Sequence, residues 1–357
     1  MIPITERVFL DEILSLRGVT GGEHSAALAV ADMFRRAGCE SHVDQFGNVI
    51  SVLYGTDHHT APFKLLVDAH MDEIGTIVTG YEEGGFLRLA KVAGVDPKVL
   101  PATIVEVHAT GDDSIVPGVI GVKPPHLLSA EDRTKTPTFD ILFVDTGLSD
   151  SELRRRVRIG DFITPMQRVS YLAGDKIAAK ALDDRISIYT MLSVAQMLQN
   201  IPHRADIYLV ASVQEERHSI GPVAVAAEVQ PDLVIALDVG FGDQEGTKPG
   251  TTTPLGEGPC VCFGPATKRE LSLLLERTAK EGDIPVKREI SAGKTGTDKD
   301  SFDMTFAGIP SACVSIPLRY MHTQTEVVSM TDVDNTAKLL VRLAETDPDI
   351  LRGALCY

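Results

Sequence analysis

Four short apolar runs constrain the fold of this chain more than any other feature: "FKLLVDAH" at 63–70, "ADIYLVAS" at 205–212, "DLVIALD" at 232–238 and "SACVSIP" at 311–317. Each is too short for a buried helix and too continuously apolar for a strand with one wet face, so each reads as a strand covered on both sides. Helical periodicity fills the intervals, in "RISIYTMLSVAQMLQN", "GPVAVAAEV" and "RELSLLLERTAKEG", with Asp184 well placed at the start of the first. Upstream, Val8, Leu10, Ile13, Leu14 and Leu16 suit an amphipathic helix closed by Gly18, and "SAALAVADMFRRAG" a second one stopped by Gly38. Thr331 and Asp334 open a last helix in a capping-box-like pattern ahead of "AKLLVRLAE". Strands alternating with helices give an α/β fold with a mainly parallel sheet sandwiched by helices.

The middle of the chain breaks this rhythm. From 75 to 172, short strand patterns such as "GTIVTGYEEGGFLRLAKV" are cut by Gly, Pro and Asp turns, and "SDSELRRRV" is the one short helix. Residues 75–172 therefore read as an inserted β-rich, barrel-like domain, with 1–74 and 173–357 together forming the α/β domain.

With 357 residues and a formal net charge of -16, the chain can bury a large core but would repel nucleic acid and anionic membrane. No apolar run reaches membrane-spanning length, and acidic residues stand in "MIPITERVFLDEILSLRG" where a leader peptide would be apolar, so a cytoplasmic protein is expected. The cysteines, Cys39, Cys260, Cys262, Cys313 and Cys356, form no disulfide framework.

In an open α/β sheet, ligands bind beyond the carboxyl ends of the strands. His70 ends the first run, with Asp72 and Glu73 just after it, and Glu215 and Glu216 follow the second. Asp238 ends the third, His322 follows the fourth, and Asp183 and Asp184 precede a helix. Singly, each has an ordinary structural reading: a hydrogen-bonded strand end, a helix cap or a turn. Five segments delivering such groups to one sheet edge make a different case. Two histidines and several carboxylates suit a pair of divalent ions, roughly 3.5–4 Å apart, that polarise a carbonyl and supply hydroxide at neutral pH. Zinc, cobalt and manganese all accept that donor set. No G-x-S-x-G elbow, Walker A loop or G-x-G-x-x-G turn offers a rival chemistry. His58 and His59 sit in a polar loop, and His218 fits the surface, a support behind the ligands or a substrate contact.

The ordered motifs "DAHMDEIG", "KALDDR", "VQEE", "ALDVG", "GTDKDSF" and "IPLRYMHT" resemble the tetrahedral aminopeptidases, the glutamyl-aminopeptidase-like dinuclear metallopeptidases, over nearly the whole chain. The resemblance implies that His70 and Glu216 hold one metal, Asp238 and His322 the other, and that Asp183 bridges them. It implies that Asp72 orients His70, that Glu215 is the general base, that the Asp183–Asp184 peptide is cis, and that the insertion serves a homo-oligomer, dimer or dodecamer. The expected activity is removal of N-terminal residues from short peptides through a metal-bridging hydroxide. The chain departs from the family pattern at Arg217, His218 and Ser219, which makes Arg217 and His218, with Arg319, candidate substrate contacts. That departure keeps a second reading open, an amidohydrolase of small acylated or dipeptide-like metabolites. A non-catalytic metal-binding scaffold is the third.

Overall fold

The computed structural model describes residues 4–60, 62–248 and 250–355. Val8 and Cys356, named above, have side chains outside the described set. An eleven-stranded sheet forms the centre, its main path running Glu40–Val43, Val49–Leu53, Asp206–Ser212, Lys64–His70, Leu233–Phe241, Ser311–Arg319, Glu326–Ser329, Lys176–Ala179, Ser170–Tyr171. The four apolar runs are its middle strands and pair in parallel. Antiparallel strands flank them on either side.

Alternation decides which face each residue serves. Leu65, Val67 and Ala69 join the main core, packed with Ile188 and Leu192 of the helix Leu182–Leu198. Leu66 turns to the other face, with Ile50, Val210, Val225 and Phe302. Full burial on both sides is what the uninterrupted apolar runs require, and each such leucine contributes roughly 1.5–3 kcal/mol.

The insertion closes into a six-stranded barrel from Gly75–Glu82 through Phe162–Pro165, with its own core of Val78, Leu89, Val107, Val116 and Val144 among others. The expected short helix is Asp150–Arg156, capped by Ser149. The barrel ends before residue 172: Ser170–Tyr171 pairs with Lys176–Ala179 and so belongs to the main sheet.

Three local expectations change. The helix Met330–Ala344 begins one residue ahead of Thr331, and its acidic Asp332 accepts instead from the backbone N–H groups of Gly256 and Gly258, both at 2.7 Å. It is not the last helix, since Pro348–Leu355 follows. The first helix stops at Ser15, and Gly18 donates its N–H to Glu73 rather than ending a helical turn.

Candidate active site

Parallel register sets the site. Ser212 lies opposite His70, Ala236 opposite Asp68, and Asp238 opposite Ser315, so His70 and Asp238 emerge level at the same edge. Past Ser212 the chain turns through Gln214 in the left-handed region, φ 59°, and the one-turn helix Glu215–His218 presents both glutamates over that edge. Asp183 arrives at the head of its helix through the cis peptide to Asp184, and His322 on a turn after the strand Ser311–Arg319.

The five expected ligands meet. Asp183 offers Oδ1 to His70 Nε2 at 3.1 Å and Oδ2 to His322 Nε2 at 3.3 Å, so one carboxylate faces both imidazoles. Glu216 Oε1 lies 3.2 Å from His322 Nε2. The ligand atoms of His70, Asp184 and Asp238 lie within 4.8 Å of one another, as do those of His70, Asp183 and Glu216. His322 thus stands beside Glu216, while His70 lies within reach of both Glu216 and Asp238, so the pairing of His70 with Glu216 that the resemblance implies is present beside an alternative with Asp238. Adjacent glutamates diverge as expected: Glu215 Oε2 is 3.9 Å from His70 Nε2, away from His322.

Asp184 was read as a helix cap, but both its oxygens are fully buried without a hydrogen-bond partner. Such a group is costly to bury unless a charge answers it. Electrostatics repeats the point. Burial raises the pKa of Asp238, Asp184 and Glu216, and pushes Glu215 up to about 9. Asp183 resists the same burial because His322 and His70 hold it down, and in return Asp183 and Glu216 raise His322 to about 11. The protein alone therefore stores protons among carboxylates that two cations would displace. Imidazole nitrogens with carboxylate oxygens, one carboxylate facing both sides, is a donor set that fits two divalent ions.

The supports go beyond the sequence reading. His70 Nδ1 lies 3.2 Å from the backbone carbonyl of Asp72 and 3.4 Å from its carboxylate. The Asp72 carboxylate also accepts from the backbone of Glu215 at 3.0 Å and Glu216 at 3.2 Å, and from Thr20 Oγ1 at 2.6 Å. Glu326, which the sequence reading missed, is buried and accepts from Asp183 N at 3.0 Å and His322 N at 2.9 Å, one oxygen to each. A glutamate inside the apolar run "EVVS" was its one visible signal. The barrel reaches the site too: a Cβ on Gly94 would fall 2.4 Å from His322 Nδ1, and Gln324 donates to the carbonyl of Val99. Glu73 sits behind the metal-facing groups in a buried cluster with Lys180 and Arg185, and its pKa is driven down to about 2 against the penalty of burial.

A cavity of about 810 Å³ opens in front of the ligands. Of the proposed substrate contacts, Arg217 and His218 point to solvent and do not line it. Arg319 does not line it either, because Asp243 holds its guanidinium. The third departing residue, Ser219, does face the site: its Oγ lies 3.4 Å from Glu215 Oε1. His58, from the polar loop, pairs with buried Asp206 at 2.7 Å.

Residues 47–339 match the peptidase family described as M42 glutamyl aminopeptidase. The chain belongs to this family. It is 36% identical over 340 residues to a lysyl aminopeptidase of Pyrococcus furiosus, covering 94% of this chain and 96% of that one. Its fold is similar to a TET aminopeptidase from the archaeon Thaumarchaeota archaeon SCGC AB-539-E09, with TM-score 0.91, 28% identity and coverage of 98% and 99% of the two chains. It is also similar to the Pyrococcus horikoshii TET1 peptidase, with TM-score 0.82, 26% identity and coverage of 95% and 99%. This M42 member is accordingly a metal-dependent aminopeptidase, a hydrolase of peptide bonds, with the α/β fold and barrel insertion of the TET aminopeptidases. Neither the amidohydrolase nor the scaffold alternative finds support in these likenesses.

Proposed function

We propose that the protein removes single N-terminal residues from short peptides in the cytoplasm, using two divalent ions, zinc foremost and cobalt or manganese as substitutes. The observation that carries this reading is Asp183, whose two oxygens each face an imidazole Nε2, with the half-buried Glu215 alongside. His70 and Asp238 would hold one ion, Glu216 and His322 the other, and Asp183 both. When bound, the ions would polarise the scissile carbonyl, lower the pKa of water and stabilise negative charge on the carbonyl oxygen.

The chain's own groups do the rest. Glu215 takes a proton from the attacking water at its carboxylate and hands it to the departing amine. Ser219 Oγ steadies the other oxygen of that carboxylate. Asp72 fixes the imidazole of His70 and the backbone of both glutamates, so that base and ligand keep their separation.

Assembly is supported from outside the chain: the Pyrococcus horikoshii TET1 relative assembles into a tetrahedron or a large octahedral shell. A homo-oligomer built through the barrel, a dimer or a dodecamer, is the corresponding reading here. The deciding experiment is a panel of aminoacyl and N-acylated amides, assayed after loading with zinc, cobalt or manganese and with metal content measured in parallel. Hydrolysis of free-amine substrates with two ions per subunit is expected. Turnover confined to acylated substrates, or undiminished in the metal-free protein, would refute the reading.

A further inference from the structure

The cavity contains one carboxylate that the metal chemistry does not use. Glu289 lies on the edge strand Lys287–Ile290, half-buried, and lines the same cavity as His70, Asp238 and His322. Its Oε2 accepts from Ser315 Oγ at 2.7 Å, and Ser315 is the residue paired with Asp238 across the sheet. A Cβ added to Gly240 would stand 3.4 Å from the same oxygen, which places the carboxylate over Gly240. Two residues along a strand is about 6.6 Å, so the Glu289 carboxylate, over Gly240, lies roughly that far along the strand from the backbone of Asp238.

The charge balance of the cavity singles Glu289 out. Two divalent ions would neutralise Asp183, Glu216, Asp238 and Glu215 together. The neighbouring cation, Arg288, is turned away, bonded to Glu276 at 2.5 and 2.7 Å and stacked over Phe263. Lys294 lines the rim but is exposed and makes no ion pair with Glu289. Near Glu289 the wall is made of Cys260, Cys262 and Cys313, whose buried thiols are pushed up in pKa and so stay uncharged. An uncompensated carboxylate on a weakly polar wall is a site for one positive charge.

From this placement we propose that Glu289 receives the side chain of the residue being removed and that the enzyme prefers lysine or arginine at that position. A lysine whose carbonyl lies at the metal ligands has a four-carbon stem reaching about 6 Å from Cα, which matches the offset to Glu289. The aliphatic stem crosses the Cys260–Cys262 wall, and the ammonium meets Glu289 and Ser315. The inference rests on the aminopeptidase reading and gives that site a substrate class.

The test compares kcat/KM for the p-nitroanilides of lysine, arginine, leucine and glutamate with the metal-loaded enzyme. Wild type should favour lysine and arginine over leucine by about tenfold or more, the scale of one desolvated charge contact. Glu289→Gln should lower the lysine-to-leucine ratio by a similar factor, chiefly by raising KM for lysine. Glu289→Lys should bring glutamyl substrate above lysyl. Thermal melts of both variants, which alter an edge strand, check folding. Absence of a cationic preference in wild type would overturn the inference while leaving the peptidase reading intact. So would equal losses on lysine and leucine in Glu289→Gln, the mark of a carboxylate that holds the substrate's α-ammonium. Failure of all four substrates with the loaded wild type would overturn both.

Discussion

At the scale of single residues, the site turns on how neighbouring carboxylates divide their work. Glu215→Gln keeps the shape of the side chain but can neither take nor return a proton, so kcat should fall at least about a thousandfold with metal content unchanged, as elemental analysis would verify. Asp183→Ala should remove the carboxylate shared by both imidazoles, and the purified variant should then retain less than one ion per subunit. Glu326→Gln probes the support: an amide has only one oxygen, so one of the two backbone donors, Asp183 N or His322 N, would face an NH₂ group. Weakening of metal affinity by about tenfold or more, read from the absorption spectrum during cobalt titration, is expected. The residues that gather at the site were legible in the sequence because each follows a recognisable strand or opens a recognisable helix. Their full set of neighbours was not. Which histidine stands beside Glu216 depends on strand order and on the turn at Gln214, and neither leaves a trace in local pattern. Arg217 and His218 show the opposite failure, since residues that looked distinctive beside the glutamates sit on the outer side of a one-turn helix.

At the scale of elements, the four middle strands could be read directly because burial on both faces writes itself as unbroken hydrophobicity. The edge strands could not. Lys287–Ile290 carries the sequence KREI and pairs through its backbone, so nothing in its composition separates it from a loop. The helix Leu182–Leu198 is anchored at its head by Arg185, fully buried and bonded to Glu73 at 2.9 Å and to the Leu16 carbonyl at 2.5 Å. This anchor has a pH signature. The pKa of Glu73 lies near 2 in the folded chain against 4.5 for a free glutamate. A depressed carboxyl pKa stabilises the fold fully above 4.5, and that contribution is lost as pH falls from 4.5 through 2. Glu73→Gln should therefore be less stable than wild type at neutral pH, with the gap narrowing across that interval, as denaturant midpoints measured from pH 6 downwards would reveal.

At the scale of the whole molecule, two bodies with separate cores touch at several places, Arg17 with Glu106 and Gly22 against Phe162 among them, and at the site Gly94 of the insertion packs against the ring of His322 while Val99 meets Gln324. A residue with a side chain at 94 would displace the imidazole, so Gly94→Ala should weaken the ion held by His322 more than the one held by His70, as stepwise metal titration would register. The contact also works in the other direction, because coupling between two events is reciprocal. An ion held by His322 would fix the surface on which the insertion rests, and an insertion clamped in the proposed homo-oligomer would in turn fix His322. Metal supply and quaternary structure are then two handles on one equilibrium. In the proposed homo-oligomer, subunits short of the ion would be at once idle and loosely joined, and a newly made subunit would gain its full activity on assembly.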